Sequence, residues 1–118
     1  MWIKVLRSKI HRATVTEKNL NYSGSITIDP DLLEKVGLVA GQCVLVANVN
    51  NGTRHETYIQ IGKRGTGQVR LNGAAARLGE LGDLVIVMGY AYMTPEEAAG
   101  HEPRIALVDE KNAFVKYI

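Results

Sequence analysis

Cysteine is almost missing from this 118-residue chain. Cys43 stands alone, so no internal disulfide can form and a reducing, cytoplasmic setting is expected. Long apolar runs are missing too. Leu84–Met88 is broken by Gly89 and preceded by Asp83, far short of the ~20 apolar residues that cross a bilayer. The opening MWIKVLRSKIHR alternates apolar with charged residues where a signal peptide needs an unbroken apolar stretch. Neither a membrane span nor secretion is expected. Charge of one sign is lacking: 14 basic against 12 acidic residues leave +2. The pI is about 8.8, yet the charges are scattered and form no basic stripe, so nucleic acid is a poor partner. Repeats, low-complexity tracts and Pro/Ser-rich linkers do not occur, which leaves one domain over residues 1–118.

What is present is 46% hydrophobic residues with 22% charged, the composition of a packed globular fold. Twelve glycines punctuate short runs rich in Val, Ile, Leu and Thr, the signature of many short strands. The strands expected are Trp2–Ser8, Thr14–Thr16, Ser25–Ile28, Cys43–Val49, Thr57–Ile61, Val69–Leu71, Leu84–Met88 and Ile105–Val108, with a loosely held tail from Ala113. The fold class is therefore mainly β, in the manner of a small interlocked barrel. One helix is signalled between Asp29 and Gly37: Asp29 can cap, Pro30 suits the first turn, Leu32, Leu33 and Val36 share a face, and Gly37 can end it. A second begins at Thr94, with Glu97 three residues on to complete a capping box and Pro95 at its first position. Asn51-Gly52 predicts a type I′ hairpin with Val49 and Tyr58 on adjacent strands.

Several apparent motifs carry little chemistry. His11, His55 and His101 lack a second ligand at metal spacing, so no metal is expected. Cys43, inside CVLVANV, reads as a small buried hydrophobe. Gly62-Lys63-Arg64-Gly65-Thr66-Gly67 lacks the order of a phosphate-binding loop and reads as a solvated turn. Asn21-Tyr22-Ser23 and Asn51-Gly52-Thr53 match a glycosylation sequon without a secretion signal. Asn72-Gly73-Ala74-Ala75-Ala76-Arg77 says more: it follows a strand and opens a run of helix formers, where free N–H groups can take an anion. A turn of small residues built for close packing accounts for it equally well.

Tyr22-Ser23-Gly24-Ser25-Ile26-Thr27-Ile28-Asp29 resembles a segment of the aspartate 1-decarboxylase family. So do Lys9-Ile10-His11-Arg12, Asn51-Gly52-Thr53-Arg54, Thr57-Tyr58 and Asn72-Gly73-Ala74-Ala75-Ala76, in order across nearly the whole chain. The resemblance implies a double-psi β-barrel with short peripheral helices, six strands in two interlocked motifs. It also implies a covalent pyruvoyl cofactor, made when the precursor cuts its own backbone between Gly24 and Ser25 into residues 1–24 and 25–118. The Ser25 hydroxyl would attack the Gly24 carbonyl, with glycine supplying backbone freedom. Ser23 is a rival nucleophile, placed to attack the bulkier Tyr22 carbonyl, and ranks behind.

The reaction implied is decarboxylation of L-aspartate to β-alanine for pantothenate synthesis, without pyridoxal phosphate. The resemblance implies Tyr58 as proton donor, since phenols stay protonated at neutral pH. It implies Thr57 as support for the charged intermediate of the cut, Asn72 and Tyr22 as further supports, and His11 as a hydrogen-bonding neighbour. Arg54, whose fork grips carboxylates, would hold the α- or the side-chain carboxylate, with Lys9 as a second cation and the N–H groups of Gly73, Ala74 and Ala75 at the other end. Thr57 and Tyr58 alternate along a strand, so bringing both to one site predicts a local bulge. The resemblance also implies a homotetramer of four α and four β chains with sites between subunits; some relatives also need an accessory protein to mature. Two other functions compete: a non-catalytic double-psi barrel that recognises peptides, and a nucleic-acid binder using Lys4, Arg7, Lys9, Arg12 and Lys63-Arg64.

Overall fold

The structure is a computed structural model and describes residues 1–118. The strands are β1 (Ile3–Thr14), β2 (Glu17–Asn19), β3 (Ser25–Ile28), β4 (Cys43–Asn48), β5 (Arg54–Ile61), β6 (Val69–Asn72), β7 (Leu84–Met93), β8 (Arg104–Val108) and β9 (Phe114–Tyr117). Helices α1 (Pro30–Val36) and α2 (Pro95–Ala99) and a 3-10 turn, Gly73–Leu78, complete the chain. Neighbouring strands run in the order β2-β6-β3-β5-β4-β7-β1-β8-β9.

That sheet closes on itself because β1 and β2 are halves of one bent strand. Past a bulge at Arg12, which takes φ 67, Val15 N donates to Asp83 O and Gly82 N to Val15 O, each at 2.9 Å. Thr16 N then donates to Val69 O at 2.9 Å, so the same chain pairs with β7 on one side and β6 on the other. Six strands, β6-β3-β5-β4-β7-β1, form the ring. Both β1 and β3 lie between one parallel and one antiparallel neighbour, β8 and β7 for β1, β5 and β6 for β3. These interlocked crossings are those of a double-psi β-barrel.

Period-two alternation fills the ring. Ile10, Ile26, Ile28, Val44, Val46, Ile59, Val69, Leu71, Val85 and Val87 point inward and are 0–1% exposed, and burial of such side chains supplies about 2 kcal/mol each. Helix α1 adds Leu32, Leu33 and Val36. The Asp29 carboxylate caps it by accepting from Asp31 N at 2.8 Å, and Gly37 ends it at φ 75. The turn after β5 is tied to the same cap, since Gly65 N and Gly67 N also donate to Asp29, at 3.2 and 2.8 Å. In α2, Thr94 and Glu97 form the expected capping box.

Several expectations fail for reasons of tertiary structure. Of Thr14–Thr16, Thr14 ends β1 and Val15–Thr16 is the crossing between β1 and β2, while β1, β5 and β7 run longer than their apolar patterns indicated. The tail is held: Phe114 packs on the core, β9 pairs with β8, and the Tyr117 hydroxyl donates to Lys35 O at 2.8 Å. Asn51-Gly52 does not make a type I′ turn, because Gly52 has φ 75 but Asn51 has no positive φ. The Asn51 amide is engaged elsewhere, donating to Leu78 O at 2.8 Å, and the connection widens to residues 49–53. Tyr58 therefore sits opposite Cys43, and Val49 lies past the end of β4. Cys43 is exposed, because it faces outward beside Tyr58.

Candidate active site

Ser25 opens β3 at the point where the chain goes from exposed to buried: Asn21–Gly24 are exposed, whereas Ser25 is 1% accessible. Ile26 and Ile28 fill the core, so alternation turns Ser25 and Thr27 to the outer face of the barrel. There they lie against β6, with Ser25 opposite Asn72 and Thr27 opposite Arg70. Asn72 Nδ2 donates to both Ser25 Oγ and Thr27 Oγ1 at 2.9 Å. Ser25 Oγ donates in turn to Ser23 O at 3.4 Å.

The other edge of β3 runs parallel to β5, Ile26 beside Ile59. Carried back along both strands, that register sets Ser25 beside Tyr58 and Gly24 beside Thr57. The β4/β5 pairing is continuous from Cys43↔Tyr58 to Ala47↔Arg54, so the expected bulge does not exist. None is needed: the Gly24-Ser25 bond spans two positions of that extended register, one level with Thr57 and the next with Tyr58.

The 3-10 turn after β6 approaches the same bond from above. Gly73 has φ +68, and a Cβ there would lie 2.8 Å from Gly24 Cα and 2.9 Å from both Gly24 N and Tyr22 O. Glycine is required at 73 by the closeness of residues 22–24. At 24 the reverse holds, because its Cβ would meet nothing within 4 Å and its φ is not in the left-handed region; backbone freedom is therefore not why glycine precedes Ser25. No side chain caps the Gly73–Leu78 turn, so its first N–H groups, at Gly73, Ala74 and Ala75, lack intrahelical partners. Its far end is clamped: Leu78 O accepts from Asn51 Nδ2, Thr53 Oγ1 and Asn48 Nδ2 at 2.8, 3.2 and 3.4 Å. Asn48 and Asn51 thus hold the turn over the bond, a role that only the folded loop reveals.

Lys9 and Arg54 do not join this cluster within one chain. Arg54 is four residues, about 13 Å, along β5 from Tyr58. Lys9 pairs with Met88, which shares a row with Leu45 and Glu56, so three strand spacings of about 4.8 Å separate it from β5. Neither cation has an acidic partner; the ion pairs in the chain are Lys18–Glu80 and Arg64 with Asp31 and Glu34. The largest cavity, about 990 Å³ between α1, the Gly65–Gly67 turn and β9, lies away from Ser25 and includes none of these residues. No three His, Cys, Asp or Glu side chains converge as metal ligands.

His11 lies on β1 near Lys9, and its Nδ1 is buried without a partner. Burial first, then Lys9 and Arg12, hold its pKa below the usual histidine value. His55 faces inward opposite Val46 with Nε2 unpartnered, and burial alone pushes its pKa below 6.5. Folding therefore favours neutral His55, a contribution present in full above pH 6.5 and lost as pH falls toward the folded value. Thermal melts from pH 7.5 to 5 should show the melting temperature falling with pH, and His55→Gln should flatten that slope.

A closed barrel that presents a buried serine hydroxyl, a neighbouring phenol and unpartnered backbone N–H groups on one outer face has the equipment of a small β-barrel enzyme. The family model described as aspartate decarboxylase matches residues 1–115, and the chain belongs to that family. It is 57% identical over 116 residues to aspartate 1-decarboxylase of Caldicellulosiruptor saccharolyticus, covering 98% of this chain and 91% of the relative. To the enzyme of that name from Bacillus licheniformis it is 54% identical, covering 95% and 88%, and to that of Staphylococcus aureus 51%, covering 97% and 90%. Among solved structures, the computationally designed msDPBB_sym2 protein aligns with TM-score 0.46 and 20% identity, covering 74% of this chain and 99% of that one.

Proposed function

We propose that this chain is the precursor of a pyruvoyl enzyme that cuts itself between Gly24 and Ser25 and then decarboxylates L-aspartate to β-alanine, a precursor of pantothenate. One observation carries the reading: in a member of the aspartate decarboxylase family, Ser25 is a buried hydroxyl fixed by Asn72, directly after an exposed glycine. In the cut, Ser25 Oγ bonds to the Gly24 carbonyl carbon, the amide C–N bond breaks, and the hydroxyl proton passes to the Ser25 nitrogen. Loss of the Ser25 Cα proton then expels the Gly24 carboxylate by breaking the Cβ–O bond, which frees residues 1–24. Water enters, ammonia leaves, and a pyruvoyl group heads residues 25–118. That group, once formed, supplies the electron sink that loss of an α-carboxylate requires.

The remaining work falls to side chains and backbone. Thr57, beside Gly24, supports the oxyanion that develops in the cut, with Asn72 and Tyr22 holding the segment. Tyr58, beside Ser25, returns a proton to the carbon that has lost CO2. Gly73, Ala74 and Ala75 offer N–H groups to one substrate carboxylate, and Arg54 and Lys9 supply the countercharge for the other. Because one chain keeps both cations away from Ser25, we place them at the site of a neighbouring subunit in a homotetramer of four α and four β chains. Their lack of acidic partners and the exposure of Trp2, Val39 and Tyr92 support that assembly, whose mass would be about four times 12.9 kDa. No helix is long and apolar enough to cross a membrane, and the lone cysteine suits a cytoplasmic setting.

The test is release of β-alanine from L-aspartate by purified protein without added pyridoxal phosphate, alongside denaturing mass analysis. Two fragments, 1–24 and 25–118, with the larger blocked by pyruvoyl, are expected. One uncut chain without release would leave the barrel a recognition module. Gly73→Ala, tested in an uncut chain, forces a Cβ into residues 22–24 with a left-handed φ, a cost of about 2 kcal/mol or more. Its melting temperature should drop by roughly 8 °C.

A further inference from the structure

The Asn72 amide can sit either way round, and only one orientation offers hydrogens to Ser25. Arg70 selects it. Its Nε donates to Asn72 Oδ1 at 2.8 Å, and because arginine has donors but no acceptor, the amide oxygen must face it and Nδ2 must face Ser25 and Thr27. Arg70 is itself anchored twice. Nη2 donates to Thr27 Oγ1 at 3.4 Å, and the guanidinium lies over the Tyr22 ring, 5.1 Å from its centroid. Tyr22 belongs to residues 1–24 and Arg70 to residues 25–118, so this side chain ties the two sides of the Gly24-Ser25 bond together before the cut.

A hydroxyl has one hydrogen and two lone pairs. With Asn72 Nδ2 on one lone pair and the proton directed to Ser23 O, Ser25 Oγ keeps its second lone pair for the Gly24 carbonyl. Were the amide reversed, Asn72 Oδ1 would draw the serine proton toward β6 and swing that lone pair away. We infer that Arg70 is a positioning residue for self-cleavage, acting through the orientation of the Asn72 amide. The inference rests on the cleavage proposed above and goes beyond it, since Arg70 touches neither the scissile bond nor any residue of the substrate site except Asn72 and Tyr22.

The experiment follows newly made chains by intact mass and reads the rate of the cut, independent of decarboxylation. Arg70→Leu removes the donor and should slow cleavage about tenfold, the effect of one positioned, charge-assisted hydrogen bond. Arg70→Lys keeps a charged group with donors and no acceptor, which can still select the Asn72 amide oxygen, and should stay within about threefold of the parent. In an Asn72→Ala background, Arg70→Leu should change the rate by no more than about twofold, because the residue through which it acts is gone. Melting temperatures of the same variants carrying Ser25→Ala separate slow cleavage from poor folding, and Arg70→Met replaces Arg70→Leu if the latter does not fold. Parent-like cleavage by Arg70→Leu would overturn the role of Arg70. So would Arg70→Lys as slow as Arg70→Leu, or an undiminished effect without Asn72. A parent chain that never cuts fails at the earlier step and takes the proposed function with it.

Discussion

Ser25→Ala should yield a single 118-residue chain that releases no β-alanine, however long it is incubated. The substitution removes the buried hydroxyl that directly follows the Gly24 carbonyl while leaving the barrel core intact. Asn72 Nδ2 keeps its 2.9 Å bond to Thr27 Oγ1 but its second hydrogen, which Ser25 Oγ accepts, loses its partner, a cost of about 1–3 kcal/mol for a buried donor. A melting temperature lowered by roughly 4–12 °C, with the chain still folded and all activity gone, is the expected pairing. Ser23→Ala is the contrasting variant. Ser23 is exposed, and its carbonyl, the group that accepts from Ser25, survives the substitution, so the chain should still divide into 1–24 and 25–118. A break after Tyr22, or cleavage of the Ser25→Ala chain, would show the nucleophile to be another residue.

The sequence displays whatever is decided by neighbours along the chain. Asp29, Pro30 and Gly37 announce α1 because capping acts over one turn, and Thr94 with Glu97 announces α2 for the same reason. Ser25–Ile28 can be bounded because glycine precedes it and a cap follows. The turn at Asn51-Gly52 is misread because the Asn51 amide goes to Leu78 O, 27 residues away, a partner that no local rule contains. Lys9 and Arg54 are legible as cations suited to carboxylates, yet their separation from Ser25 exists only in the strand order. Thr57 and Tyr58 look incompatible until the β3/β5 register, carried back from Ile26 and Ile59, sets the two positions level with the Gly24-Ser25 bond. Arg70 is the most hidden: in Val-Arg-Leu-Asn it alternates like any exposed strand residue, and only antiparallel pairing with β3 sets it over Thr27 and against Asn72. The β9 tail, only four residues long, is held by Phe114 and Tyr117 through contacts its own pattern does not announce.

Tyr58→Phe should separate the two chemistries of the chain. The Tyr58 hydroxyl makes no hydrogen bond within the fold and the ring is 41% exposed, so removing its oxygen leaves no buried partner unsatisfied and stability should stay within about 0.5 kcal/mol of the parent. The proposed self-cleavage draws on Ser25, Asn72 and Thr57 and not on the phenol, so it should proceed at close to the parent rate. Turnover should collapse by about 10²–10⁴-fold, the contribution of a positioned general acid, with kcat and kcat/KM falling together because the lost proton transfer belongs to the transition state and not to binding. Intact masses give the first rate and β-alanine release the second, on one sample. Turnover near the parent's would remove Tyr58 from the reaction and move the proton donor to another group. Loss of cleavage as well as turnover would instead place the phenol in the first reaction, beside Thr57 at the Gly24-Ser25 bond.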